Sequence, residues 1–235
     1  MITPEPHLTV ETGRHPSEAV VLVLHGGREL SSDPVRARQL AVLRMIPFAR
    51  RIAHRGAGRV AVARLRYATR GWNAAAGSPA PVADAEWALR RLTERFPGLP
   101  IGLVGHSMGG RTALRVGGHP QVRGVVGLAP WLPEREPVGQ LAGRRVLLMH
   151  GTADRMTSPA GTAAFAARIE AAGASVSLVS VYGEGHSMLR RAQLWHEMAA
   201  HFVLSTVLPD FEPAAAPGTP DLIQQVVHGT VRLTC

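Results

Sequence analysis

The chain contains no lysine, one cysteine and few aromatic residues: five phenylalanines, four tryptophans and two tyrosines in 235 positions. Each scarcity removes a class of function. Without lysine, the formal charge of +9 is carried wholly by arginine. The glycine-rich stretch from Gly102 to Gly110 lacks both the lysine of a phosphate-binding loop and the spacing of a dinucleotide fingerprint. Cys235, at the last position, leaves no internal disulfide framework and no cysteine-based metal site. Neither a His-Glu-x-x-His spacing nor a clustered carboxylate set is present, so no metal and no other cofactor is expected.

A basic balance can signal a nucleic-acid partner, because a dense cationic face releases counterions from phosphates. Here the doublets Arg50-Arg51, Arg90-Arg91, Arg144-Arg145 and Arg190-Arg191 are dispersed over separate predicted elements, without finger spacing or rings for base stacking. A solvated arginine surface and no nucleic-acid partner are expected. No apolar run approaches the length of a bilayer span. The segment Met1 to Val20 carries prolines, acids and histidines where a signal peptide would have a basic start and an apolar core. A cytoplasmic protein with no membrane partner is the expectation.

What is present is an alternation of short apolar runs with longer helical patterns, the signature of strand-helix-strand units and a mostly parallel sheet. Strands are predicted at Leu8 to Glu11, Ala19 to Leu24, Val60 to Leu65, Ile101 to Val104, Val122 to Leu128, Arg145 to Met149 and Val176 to Val181. Several are apolar throughout, as strands covered on both faces are. Helices are predicted at Pro34 to Arg55, Val82 to Phe96, Met108 to Gly117, Pro159 to Ala172 and Ser187 to Val207. Asp33-Pro34 and Ser158-Pro159 place a capping side chain before a proline at the first turn. One α/β domain over residues 1–207 is expected. A Pro/Ala-rich linker follows at 208–221, marked by Pro209, Pro213, Pro217 and Pro220, and then a short tail at 222–235.

The most informative segment is Gly105-His106-Ser107-Met108-Gly109, between the strand Ile101 to Val104 and a small-residue helix pattern. It puts a serine at the apex of a sharp strand-to-helix turn too tight for side chains at its flanks. A serine hydroxyl is a poor nucleophile unless a base takes its proton and donors hold the oxyanion that forms. His186, in Gly183-Glu184-Gly185-His186, is the candidate base, and Asp154, after the preceding strand, is its candidate orienting carboxylate. Glu184 is a rival acid, ranked lower because it would have to fold back on its own loop. His25, His106 and His150 border strands and are read as orientation or packing residues. The Met108 backbone N–H at the helix start is one expected oxyanion donor, and Gly27 in His25-Gly26-Gly27-Arg28, or a near neighbour, is the other.

These residues resemble the α/β-hydrolase family, in its elbow, its oxyanion loop and its Ser, Asp, His order, over roughly residues 20–206. By that resemblance Ser107, Asp154 and His186 form a triad on a mostly parallel sheet with helices on both faces. Only sixteen residues, Pro130 to Arg145, join two predicted strands where related folds often insert a cap, so no sizeable cap and an open site are expected. The chain is similar to small carboxylesterases and to dienelactone hydrolase-like enzymes, which carry cysteine where this chain has Ser107. The implied activity is hydrolysis of a small ester, thioester or lactone through an acyl-enzyme, with a small-molecule acyl substrate. The same triad would serve an acyltransferase or perhydrolase, and the fold alone would serve a non-catalytic scaffold. Arg28, Trp131, Trp72 and Met188 are the expected substrate contacts, with Met156 beside them.

Overall fold

The computed structural model describes residues 4–73, 79–213, 220–229 and 231–235. Among these residues eight strands form one sheet in the order β1-β3-β2-β4-β5-β6-β7-β8. They are β1 (His7–Glu11), β2 (Ala19–Leu24), β3 (Val60–Arg66), β4 (Ile101–His106), β5 (Val122–Leu128), β6 (Arg145–Gly151), β7 (Ser175–Val181) and β8 (Arg232–Thr234). Only β1 runs antiparallel, against β3; every other pair is parallel. The parallel strands β2 to β7 therefore end on one edge of the sheet, and the loops that follow them meet there.

Among the described residues seven helices cover the faces: α1 (Leu40–Arg44), α2 (Ile46–Arg55), α3 (Ala80–Arg95), α4 (Met108–Val116), α5 (Pro159–Ala171), α6 (Ala192–Val207) and α7 (Pro220–His228). Strand β2 shows why both faces must be covered. All six of its residues are buried, and because side chains alternate across a strand, Val20, Leu22 and Leu24 pack toward α3, α4 and α5. Ala19, Val21 and Val23 pack on the other side with α2, α6 and α7. Truncating a side chain such as Leu22 to alanine removes about 2–5 kcal/mol from a core of this kind. The result is an α/β-hydrolase fold with no sizeable cap: the segment between β5 and β6 holds only a short 3-10 turn at Gly139–Leu141.

Two expectations about elements are corrected. The helix expected from Pro34 begins only at Leu40 and is broken at Met45. The reason is that Pro34 bridges Thr69 and the Val35 N–H donates to the Ala68 carbonyl, tying this stretch to the loop after β3. The helix expected from Ser187 begins at Ala192. There Met188 takes a left-handed backbone at φ 55°, and the Arg190 and Arg191 N–H groups donate to the Glu184 carboxylate. The chain end, expected as a short tail after the linker, packs on the domain. It extends the sheet as β8, with Leu178, Val179 and Ser180 of β7 facing Arg232, Leu233 and Thr234, while Ile223, Val226 and Val227 of α7 join the core beside α6. Of the expected linker, residues 214–219 with Pro217 lie outside the described residues.

Candidate active site

Strand β4 delivers Ser107 to the sheet edge. Its backbone is at φ 55° and ψ −117°, just ahead of α4, a conformation side chains disfavour and the surroundings must enforce. Its N–H donates to the Leu128 carbonyl at 2.9 Å, and its own carbonyl accepts from Arg111 and Trp131. The flanking glycines are sterically required. A Cβ on Gly105 would stand 2.1 Å from the Gly109 carbonyl oxygen, and one on Gly109 would stand 2.5 Å from those of Leu24 and His25.

Asp154 follows β6, and its carboxylate is gripped from both sides. Oδ1 accepts the Met156 N–H at 2.8 Å and the Thr157 N–H at 3.0 Å. Oδ2 accepts from His186 Nδ1 at 2.8 Å, from His150 Nε2 at 3.1 Å and from the Thr157 hydroxyl at 2.8 Å. Burial by itself raises this carboxyl, but the bonds from Thr157, His186 and Met156 overcome it and hold it at about 2. His150 is in turn fixed by the Thr162 hydroxyl, 2.8 Å from its Nδ1. With Nε2 donating to the carboxylate, Nδ1 is the acceptor, so burial keeps this ring neutral and its pKa lowered. The Thr157 hydroxyl sits at the junction, 3.1 Å from His186 Nδ1 and 3.2 Å from His150 Nε2.

Two further histidines brace the loops. His106, beside Ser107, donates from Nε2 to the His186 carbonyl at 3.0 Å, and the two rings lie 4.7 Å apart. Burial, with His186 adjacent, pushes His106 down to about 3. His25 donates from Nδ1 to the Gly26 carbonyl at 2.6 Å and accepts the Tyr67 N–H at 3.2 Å. Burial pushes it down to about 4. The Arg44 guanidinium donates to the Ser187 carbonyl, linking α1 to the His186 loop.

Ser107, His186, Met108 and Gly27 line one cavity of about 270 Å³ together with Arg28, Glu29, Trp131, Met156 and Thr157. The structure thus brings together Ser107, Asp154 and His186, although they are far apart in sequence. Among the described residues the Ser107 hydroxyl has no hydrogen-bond partner. Contacts of this kind are often long before substrate arrives. Gly27 approaches Met108 so closely that a Cβ on it would stand 2.3 Å from the methionine methyl. Both N–H groups lack an acceptor among the described residues.

Of the expected substrate contacts, Arg28 and Trp131 are on the cavity wall and two are elsewhere. Trp72 is buried: the Arg111 guanidinium lies 3.9 Å over its ring and 4.6 Å over that of Trp131. Arg111 reaches that position because the buried Glu136 accepts from it at 2.7 Å and also from Arg115. Met188 is also buried and packs with the α6 core, its left-handed backbone being part of the turn that ends at α6. Glu184 is no orienting acid, since its carboxylate accepts the N–H groups of Gly185, Arg190 and Arg191. Sequence reasoning missed Thr157. The available signal was the Asp-x-x-Thr spacing, in which an aspartate accepts from the backbone two and three residues on.

Residues 15–146 match the family described as serine aminopeptidase, S33, and residues 131–208 match the prolyl oligopeptidase family. No curated protein matches the chain. Among solved structures, Est1E from Butyrivibrio proteoclasticus, with ferulic acid bound, superposes with a TM-score of 0.62 at 13% identity, covering 86% of this chain and 95% of that one. A monoacylglycerol lipase from Paleococcus ferrophilus gives 0.60 at 16% identity, covering 86% and 99%. The Pyrococcus furiosus esterase Pf2001 gives 0.62 at 16% identity, covering 81% of this chain and 82% of that one. Identities this low carry the fold alone. The first family match spans more than half of the sequence and contains both the Gly27 loop and the Ser107 turn, and with it this chain belongs to the serine aminopeptidase S33 family of α/β-hydrolases.

Proposed function

We propose that the protein is a serine hydrolase that cleaves a small ester, thioester or lactone through an acyl-enzyme, with Ser107 as nucleophile, His186 as base and Asp154 as its orienting carboxylate. The observation that carries this reading is the 2.8 Å bond from His186 Nδ1 to Asp154 in a ring that shares a cavity with Ser107. That bond assigns the proton to Nδ1 and leaves Nε2 as the proton acceptor. Ser107 Oγ attacks the substrate carbonyl carbon while its proton passes to His186. The carbonyl oxygen becomes an oxyanion, which the N–H groups of Met108 and Gly27 are free to receive, with the positive end of α4 behind Met108. Collapse expels the alkoxide or thiolate, which takes the proton from His186. Water then enters by the same route in reverse, giving the acid and restoring Ser107.

Trp131 and Met156 give the cavity an apolar wall suited to an acyl chain or a small aromatic group, and its volume of about 270 Å³ favours a small one. The names of two neighbours, an esterase and a lipase, agree with ester cleavage, whereas the family description names a peptidase. The same reading keeps the cytoplasm as its setting. The test is labelling by a fluorophosphonate together with turnover of p-nitrophenyl acetate and of a matching p-nitroanilide. The expected result is ester turnover well above amide turnover, label on Ser107, and a loss in kcat on the order of a millionfold in Ser107→Ala. No label and no ester turnover would remove the reading, and faster amide cleavage would replace the ester by a peptide-like bond.

A further inference from the structure

Six large apolar side chains are exposed among the described residues, and all six stand on the edge where the cavity opens. Leu30 follows the cavity residues Arg28 and Glu29 in the loop after β2. Leu40 and Leu43 lie on α1, one turn apart and so on one face. Met156 is on the cavity wall after β6, while Tyr182 and Leu189 bracket His186 in the loop after β7. Leu30, Leu40, Met156, Tyr182 and Leu189 are between 71% and 77% exposed, and Leu43 is 40% exposed. Helix α1 belongs to this rim physically. Gln39, Leu40 and Ala41 share a second cavity, of about 320 Å³, with His25 to Arg28, and Arg44 is bonded to Ser187.

Charge on the same segments is one-sided. Arg28, Arg36, Arg38, Arg155, Arg190 and Arg191 are exposed, against the exposed acids Glu29 and Asp33. Asp33 is already paired with Arg70 at 3.4 Å, and the Glu184 and Asp154 carboxylates are buried in their own hydrogen bonds.

We propose that this rim docks on an anionic lipid surface, inserting Leu30, Leu40, Leu43 and Leu189 among the headgroups while the surrounding arginines face the lipid phosphates. The exposed leucines of the rim stand singly, with exposed arginines between them. They suit the headgroup boundary, where shallow apolar insertion and attraction to anionic lipid add together. The sequence expectation of no membrane partner rested on the scatter of the arginines along the chain and on the absence of a spanning run, and no helix among the described residues is long and apolar enough to cross a membrane. Docking on one leaflet needs no such helix. Its consequence, that esters presented at the lipid surface enter the Ser107 cavity directly, rests on the proposed hydrolase activity. The docking itself does not.

The experiment is cosedimentation of the full chain with vesicles of phosphatidylcholine alone and with about a third phosphatidylglycerol. The expected result is binding to the anionic vesicles that weakens as salt is raised. A Leu30→Ser, Leu43→Ser, Leu189→Ser triple variant should bind at least about tenfold more weakly while still turning over a water-soluble ester. Arg36→Gln with Arg38→Gln, which leaves the leucines in place, should weaken binding about fivefold for each charge removed. Ser107→Ala should bind as the unmodified protein does, so vesicle binding without ester turnover would remove the hydrolase reading and leave docking intact. No binding to anionic vesicles, or equal binding by the triple variant, overturns the proposal. A concentration-dependent dimer that the triple variant abolishes, with no vesicle binding, overturns it too and assigns the rim to a second copy of the chain.

Discussion

The elbow at Ser107 and the turn at Asp154 reach the same edge from neighbouring parts of the sheet, yet they are held by different physics. The elbow is held by exclusion: its backbone stays at φ 55° because the strand, the helix and the facing loop leave no room for any side chain at Gly105 or Gly109. The Asp154 turn is held by attraction, through two backbone N–H groups, one hydroxyl and two imidazoles on a single carboxylate. Steric constraints fail all at once, whereas a hydrogen-bonded nest with several donors loses its hold in steps. The two regions should therefore respond differently to substitution.

The largest effect that would sharpen this contrast comes from the charge at the centre of the nest. Asp154→Asn should lower kcat by about ten-thousand-fold with little change in KM, since an amide facing Nδ1 favours the wrong tautomer of His186. Steady-state kinetics on a p-nitrophenyl ester measure it. Next comes the elbow. Gly109→Ala forces a methyl against the carbonyl oxygens of Leu24 and His25 and should cost about 3 kcal/mol in urea unfolding, with activity lost alongside stability. If that variant kept its stability and lost only activity, the elbow would be less rigid than its contacts require. A smaller step follows from one donor of the nest. Thr157→Val keeps the shape and the backbone N–H but removes the hydroxyl at the junction, and should lower kcat about tenfold, with Thr157→Ser restoring most of it. A value near that of Asp154→Asn would mean that the nest, like the elbow, fails all at once.

The same contrast explains what the sequence disclosed. Steric requirements leave single-residue marks, so Gly105, Gly109 and the apolar strand Ile101 to Val104 announce the elbow and, with it, the fold. Asp154 and His186 were legible because the order of strands limits which loops reach that edge. Contacts between loops leave no such mark. Nothing local to Thr157 or His150 shows that both meet one carboxylate oxygen, and nothing local to Trp72 shows that Arg111 lies over its ring. Tertiary pairing also overrode a sound local signal at Asp33-Pro34, where bridging to Thr69 displaced the helix start to Leu40. The exposed leucines of the rim were in plain view as residues, but their exposure is a property of the folded edge.

The smallest predicted effect is a shift in the acid side of the pH profile, and it sets the two regions against each other most finely. For His186 to accept the Ser107 proton it must be neutral, so kcat/KM should fall as pH drops, tenfold per unit once protonation is complete. The other histidines around the site are taken out of the titration by burial: His25 down to about 4, His106 down to about 3, and His150 in the same direction. Asp154, held at about 2, stays ionised throughout. One proton should therefore account for the whole decline on the acid side. Removing the Thr157 hydroxyl leaves the carboxylate charge less satisfied, so it attracts the imidazolium more strongly, and the decline in Thr157→Val should begin at higher pH than in the unmodified protein. Gly105→Ala, if enough folded protein is recovered to assay, acts on the elbow and should leave the midpoint unchanged whatever it does to the rate. A wild-type decline with two protons would show that one of the buried histidines titrates with His186. A midpoint that moved for the elbow variant but not for Thr157→Val would reverse the roles assigned to steric and hydrogen-bonded support.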